Sequence, residues 1–315
     1  MYTDKAGYLC RMTATRKTSL RGYDHVYQIT ADRGICFYSA ADCLVWFSLM
    51  CVLAERYGIR ILAVCIMLNH YHIELHAPSS EALSSFMRDL NALFTRMYNK
   101  RYGRTGPLFC TKFKNAGKYK EQKIRENYLY ICNNPVVKCA VPRAEQYRWN
   151  FLAYMQSTHP FSSQGDISSD ERMGQVMSMV RTRRSAGRPL DYAFFDGLYS
   201  LLSETEKKQI LDYIITQYNV IDYTAVKRMW GSFEQLIQTL QTVRGAEYDI
   251  EDDTAQEDYR HYYKMIRIAA DLGYDLGKKR FEQLSPGELR RLVYACRERT
   301  GASRVELAKF LHEPI

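Results

Sequence analysis

The 315-residue chain has no Cys-x-x-Cys pair, no internal repeat, no sustained heptad and no low-complexity tract. Its cysteines (Cys10, Cys36, Cys43, Cys51, Cys65, Cys110, Cys132, Cys139 and Cys296) are odd in number, and several sit inside apolar stretches. That usage speaks for reduced, mostly buried thiols and against a disulfide framework or a zinc ribbon. Long hydrophobic runs are missing too. The longest, residues 43–54, has 12 residues including a serine, too short to span a bilayer. Met1-Tyr2-Thr3-Asp4-Lys5 leads into no hydrophobic signal region. Neither secretion nor membrane insertion is expected, and the expected location is cytoplasmic.

Acidic residues are scarce in one half of the chain. Residues 1–155 hold 22 Lys/Arg against 11 Asp/Glu, and residues 156–315 hold 22 against 24, so the net +9 belongs to the first half. Within it, residues 88–125 carry 11 basic residues and 2 acids. A local excess of this kind suits a polyanionic partner, because phosphate contacts supply most sequence-independent affinity for nucleic acid. A solvated basic face is the alternative. The length allows two or three domains, and 25 tyrosines are the compositional outlier.

Periodicity predicts a strand over 23–30 and a helix from Ser39-Ala40-Ala41-Asp42 to about Tyr57, stopped by Gly58. Strands over 59–68 and 70–76 follow, then a long amphipathic helix to about Tyr102 with Leu83, Phe86, Leu90, Leu93, Phe94 and Met97 in phase. A short strand pair is expected over 108–114, and a helix from Lys120 to about Asn133, ended by Pro135. The order β-α-β-β-α-β-α is that of a split βαβ (ferredoxin/RRM-like) α+β domain with an antiparallel sheet. Beyond Tyr154 the character changes. Residues 156–171 read as a linker, residues 172–276 as a helical region without an interpretable motif, and Glu251-Asp252-Asp253 as an acidic break. Ser285-Pro286-Gly287-Glu288 and Ser303-Arg304-Val305-Glu306 are capping boxes opening two short helices around a Gly301 turn. Residues 280–315 therefore resemble the start of a helix-turn-helix, ending where a recognition helix would begin, and a small packing module is an equal reading.

The chemistry centres on Asn69-His70-Tyr71-His72. In an extended chain His70 and His72 project to one face, roughly 6–7 Å apart, close enough to share a divalent cation if a third ligand arrives from elsewhere. Two hydrogen-bonded histidines on a half-buried strand are the bland alternative. In Asn127–Val136 (NYLYICNNPV), helical phase puts Tyr130 and Asn134 on one face. A phenol nucleophile and an amide-oxygen ligand would then point together at the two-histidine strand, while Tyr128 packs on the other side.

These segments resemble the REP-associated tyrosine transposases, of the single-tyrosine branch of the HUH endonucleases. The likeness is carried by RKTSLRGYDHVYQIT, LAVCIMLNHYHIELHAP, FMRDLNALFTRMYNKRYGRTGPLF and YICNNPVVKCAV with the trailing YRWNFLAYM, over about residues 15–155. The tail SPGELRRLVYACRERTGASRVELAKFL looks similar to a replication-initiator C-terminal domain. The resemblance implies that His70 and His72 bind Mg²⁺ or Mn²⁺, that Tyr130 is the nucleophile and that Asn134 is the further ligand. Glu74, on the same strand side, is the alternative ligand. Where relatives often carry Gln-x-Arg, this chain has Cys110-Thr111-Lys112. Implied too is a hairpin-bearing, REP-like single-stranded DNA substrate, cleaved through a 5′-phosphotyrosine and rejoined without ATP. For residues 172–276 a structural role, formation of a homodimer and holding of the hairpin are the open readings. Arg88, Arg96, Lys100, Arg101, Arg104, Lys112 and Lys114 are the expected DNA contacts, Arg101 and Arg104 the most exposed. Phe94, Tyr98, Tyr102 and Phe109 are expected to stack on bases or to fill the core. The rival functions are a non-catalytic nucleic-acid-binding regulator on the same sheet, and a rolling-circle or relaxase-type HUH nuclease.

Overall fold

A computed structural model describes residues 22–162, 171–199, 202–247, 249–250, 252, 254, 257–278 and 280–312. Cys10, Arg16 and Lys17, residues 163–170 of the expected linker and the acidic residues Glu251 and Asp253 lie outside the described residues. Strands β1 (Tyr23–Ile29), β2 (Arg60–Ile66), β3 (His70–His76) and β4 (Lys114–Lys118) form one antiparallel sheet in the order β2-β3-β1-β4. Helices α1 (Ala40–Arg56) and α2 (Ser80–Tyr102) make the two crossovers, which completes the split βαβ arrangement read from the sequence. Ser39 and Asp42 form the reciprocal cap of α1, and Gly103 ends α2 in the left-handed conformation at φ 67°, which glycine adopts without a Cβ penalty.

Alternation sorts the strand residues. Val26, Tyr71, Ile73 and Leu75 pack with α1 and α2 in one core. The intervening positions, among them Tyr27, His70, His72 and Glu74, look to the other face. Helix α1 is buried from Ala41 to Ala54, as an all-round apolar helix must be. It lies between the sheet and three later helices, α4 (Glu171–Ser185), α5 (Tyr192–Tyr199) and α6 (Glu204–Tyr218), which share its core. The 12-residue apolar run is thus the centre of a helical layer.

Two expectations are corrected. The fourth strand lies at 114–118, not 108–114. Leu108 and Phe109 are core residues, and only an isolated bridge joins Phe109 to Thr30. The strand itself, Lys-Asn-Ala-Gly-Lys, is polar, as an edge strand tolerates, so it carries no apolar alternation to find. Helix α3 (Glu121–Val137) does not stop before Pro135 but includes it. The preference against helix before proline is a bias, and tertiary contacts override it. Leu129, Ile131 and Cys132 are buried, and Asn133 Nδ2 donates to the carbonyls of Leu240 (3.1 Å) and Val243 (3.0 Å).

Helices α7 (Tyr223–Trp230), α8 (Phe233–Thr242), α9 (Arg260–Asp271), α10 (Pro286–Thr300) and α11 (Arg304–Leu311) share a second core with α3 and the outer side of β2. Asp222 N donates to the Ile61 carbonyl (2.8 Å), so the edge of β2 is covered. The last two helices turn through Gly301 as expected, and α11 is docked on the sheet domain. Ile35 N donates to the Lys309 carbonyl at 3.1 Å, and His312 Nδ1 lies 2.7 Å from Asp32 Oδ2. Hydrophobic packing is continuous across residue 155 in both cores. Among the described residues no helix is long and apolar enough to cross a membrane.

Candidate active site

His70 and His72 face Ile29 and Tyr27 across the β3–β1 ladder and are fully buried. Their ring centroids are 4.9 Å apart and the rings nearly perpendicular, at 86°. His70 Nδ1 lies 2.8 Å from Asn69 Oδ1, itself held by the Tyr259 hydroxyl at 2.5 Å. An amide oxygen only accepts, so His70 carries its proton on Nδ1 and turns the Nε2 lone pair toward the site. His72 is set by a longer relay. Glu247 Oε2 accepts from His25 Nδ1, and His25 Nε2 lies 3.0 Å from His72 Nδ1. With the carboxylate at one end, this chain puts the His72 proton on Nδ1 and leaves its Nε2 as the acceptor. Burial, with the neighbouring His70 and His25, holds the His72 pKa well below the usual value, so the ring is neutral.

Asn134, on α3, reaches this acceptor: its Nδ2 is 3.2 Å from His72 Nε2, and its Oδ1 is buried without a hydrogen-bond partner among the described residues. Neighbouring ligand atoms on a small octahedral cation lie about 3 Å apart. Two imidazole Nε2 atoms with fixed tautomers and an orphaned amide oxygen, reached by an amide flip, fit a divalent cation. Among the described residues no group of three or more His, Cys, Asp or Glu is gathered for a metal, so the fit depends on the amide. Glu74 is buried on the same strand face, but its electrostatic neighbours are Asn127, Lys118 and Glu247. Burial pushes its pKa up to about 8, against the lowering by Asn127 and Lys118.

Tyr130 lies one helical turn before Asn134, with its ring edge-on to His72 (5.6 Å) and to His25 (5.9 Å). Its hydroxyl donates to Asp252 Oδ2 at 2.9 Å. Burial, then the charge and hydrogen bond of Asp252, push the phenol pKa far up. The Asp252 carboxylate is held low despite burial by the neighbouring Lys138 ammonium and by its bond from Thr254. His25, Asn69, Lys118, Lys138, Glu247, Asp252 and Tyr259 were not singled out as site residues in the sequence. Of these, Asn69 alone had a local signal, its place beside His70.

The expected DNA contacts divide. Helix α2 packs on the sheet face opposite His70 and His72, so the exposed Arg88, Arg96 and Lys100 on it lie away from the site. Arg101 is not an exposed contact. It is bidentate to Asp196 (2.6 and 2.7 Å) and donates to the Gly277 carbonyl (2.9 Å). Arg104 is half-buried, bonded to Asn99 Oδ1 (3.2 Å) and lying over Tyr98. Lys112 is exposed, and Lys114 Nζ sits 5.6 Å from the ring of Tyr27, which touches both site histidines. Phe94, Tyr98, Tyr102 and Phe109 are core, each under 5% exposed, so none is available to stack on a base.

Residues 23–133 match the model of the family described as "Transposase IS200 like". Among solved structures, the chain is similar to a REP-associated tyrosine transposase bound to a REP hairpin, at 15% identity and a TM-score of 0.41, over 51% of this chain and 96% of that one. No curated protein matches the chain. The matched residues 23–133 carry both site histidines and Tyr130.

Proposed function

We propose that the protein is a metal-dependent single-stranded DNA endonuclease and strand transferase that cleaves beside hairpin, REP-like sequences. The observation that carries the reading is the convergence of His70, His72, Asn134 and Tyr130 on one sheet face, the first two and Tyr130 lying within the residues that match the IS200-like transposase model. His70, His72 and Asn134 would hold Mg²⁺ or Mn²⁺, which when bound supplies charge stabilisation at the scissile phosphate. Tyr130 Oη forms the bond to phosphorus as the P–O3′ bond breaks. The phenol loses its proton and the departing 3′ oxygen gains one, leaving a 5′-phosphotyrosine and a free 3′-hydroxyl. The phosphodiester energy is conserved in the tyrosyl ester, so rejoining needs no ATP. Packing of Tyr130 against His72 and His25 limits the ring to a narrow range of orientations, which favours a defined line of attack.

The test is a hairpin-flanked single strand, taken from DNA beside the gene, incubated with the protein and Mn²⁺ and resolved under denaturing conditions. A covalent protein–DNA adduct is expected, and Tyr130→Phe should abolish it while leaving DNA binding within about threefold. Adducts that persist in the Phe variant refute the assignment. Binding without cleavage under any divalent metal favours the non-catalytic regulator.

A further inference from the structure

Two buried lysines border the site. Lys118 ends β4 and Lys138 follows α3, and their side chains are 3% and 1% exposed. A buried ammonium needs anionic partners. Lys118 Nζ donates to Glu247 Oε1 (2.7 Å) and Asp249 Oδ2 (2.6 Å). Lys138 Nζ lies 3.6 Å from Asp252 Oδ2 and donates to the Thr254 carbonyl. All these partners come from one short stretch of the C-terminal half, outside the matched transposase region.

The same stretch is seated on the groups the proposed reaction uses. Glu247 is the far end of the relay to His72, and Asp252 accepts the Tyr130 hydroxyl. Ile250 packs against Tyr27 and Ile29 on the site face of β1. Gly245 anchors the stretch on α3. A Cβ there would lie 2.2 Å from Tyr130 N and 2.6 Å from the Glu126 carbonyl oxygen, and its φ is +76°. The main chain therefore passes the nucleophile at a distance only glycine permits.

A phosphate that is to meet Tyr130 Oη must come to where the Asp252 carboxylate now stands, because the hydroxyl is already engaged there. Carboxylate and phosphate oxygens are interchangeable acceptors for ammonium groups. We propose that Glu247, Asp249 and Asp252 are an internal stand-in for a single-stranded DNA backbone, and that Lys118 and Lys138 are phosphate subsites which the DNA takes over on displacing them. The inference rests on the proposed function and adds two binding residues and a competition. Apparent DNA affinity is lowered by the fraction of molecules in which the acidic stretch is seated.

The test uses the full chain with a hairpin-flanked single strand in EDTA, so that binding is read without cleavage. Amide hydrogen exchange over residues 245–254 should quicken at least about tenfold at saturating DNA, while α11 is unchanged. Glu247→Gln with Asp249→Asn should tighten binding about tenfold. Lys118→Met should weaken it about tenfold and lower the salt slope by about 0.7, the value of one phosphate contact on a single strand. The wild-type exchange measurement stands whether or not the variants fold. Unchanged or slowed exchange in 245–254 with DNA bound overturns the inference, even if Tyr130 adducts form with Mn²⁺. Quickened exchange without any adduct keeps it and sinks the cleavage reading. Absence of DNA binding overturns both.

Discussion

Replacing Arg280 by methionine tests whether the C-terminal helices are part of the fold that builds the site. The Arg280 guanidinium is buried against Asp42 on α1, with Nη2 2.6 Å from Asp42 Oδ2. It lies over the rings of Tyr102 (3.9 Å) and Tyr38 (4.4 Å). Asp42 also accepts from Ser39 N (2.9 Å), Tyr38 N (3.1 Å), Tyr102 Oη (2.7 Å) and Tyr192 Oη (2.9 Å). One carboxylate thus ties together α1, α2, α5 and the segment before α10. Breaking a buried ion pair from one side costs about 3–5 kcal/mol. The remaining donors still solvate Asp42, which favours the lower end, and lost cation–π contact adds about 1 kcal/mol. Arg280→Met should therefore cost about 3–4 kcal/mol in urea unfolding. The thermal midpoint should fall by roughly 6–15 °C on the scaling for large domains. Asp42→Ala should cost more, by about 1 kcal/mol for the lost helix cap. A loss below about 1 kcal/mol would refute the reasoning. So would wild-type unfolding in two separated transitions, with residues 260–312 melting first.

Four further outcomes follow from other contacts. The Asp32 pKa falls to about 2: burial raises it, but the hydrogen bond and charge of His312 outweigh this. The stabilisation is therefore present above the unfolded value near 4 and lost as pH falls through 2. Because Asp32 is about one-third exposed (36%), screening reduces it to about 1 kcal/mol. Asp32→Asn should remove that increment between pH 5 and 2, read as the difference in urea midpoints. Gly245→Ala should cost about 2 kcal/mol or more, since the new Cβ meets main-chain atoms of α3; circular dichroism melts check it, and a neutral result would show that the loop relocates freely. Lys114→Ala should lower the salt slope of single-strand binding by about 0.7. Arg101→Ala should leave that slope unchanged and lower stability instead, because its guanidinium is committed to Asp196 and Gly277.

Much of the architecture was legible because it is written locally. Two-residue alternation put His70 and His72 on one face, the 3.6-residue period placed α2, and Ser-x-x-Asp or Ser-x-x-Glu caps placed α1, α10 and α11 closely. The same period set Tyr130 and Asn134 one turn apart. The misses have physical causes. β4 is a polar edge strand whose pairing with β1 is supplied by main-chain bonds, which any sequence can make. Pro135 stays helical because Asn133 and its buried neighbours hold the last turn. Arg101 read as a surface cation because Asp196 lies 95 residues further along the chain.

What the sequence determined by itself was the set of elements, their inward faces, and two side-chain pairs held within one strand and one helix. Only the tertiary structure decided what those pairs meet. His25 joins His72 from 47 residues away, Glu247 reaches His25 across 222, and Asp252 reaches Tyr130 across 122. Backbone periodicity is a property of neighbouring residues and survives in the order of letters. Such long-range partners depend on how separately formed helices dock, and that is set by the complementarity of whole buried faces.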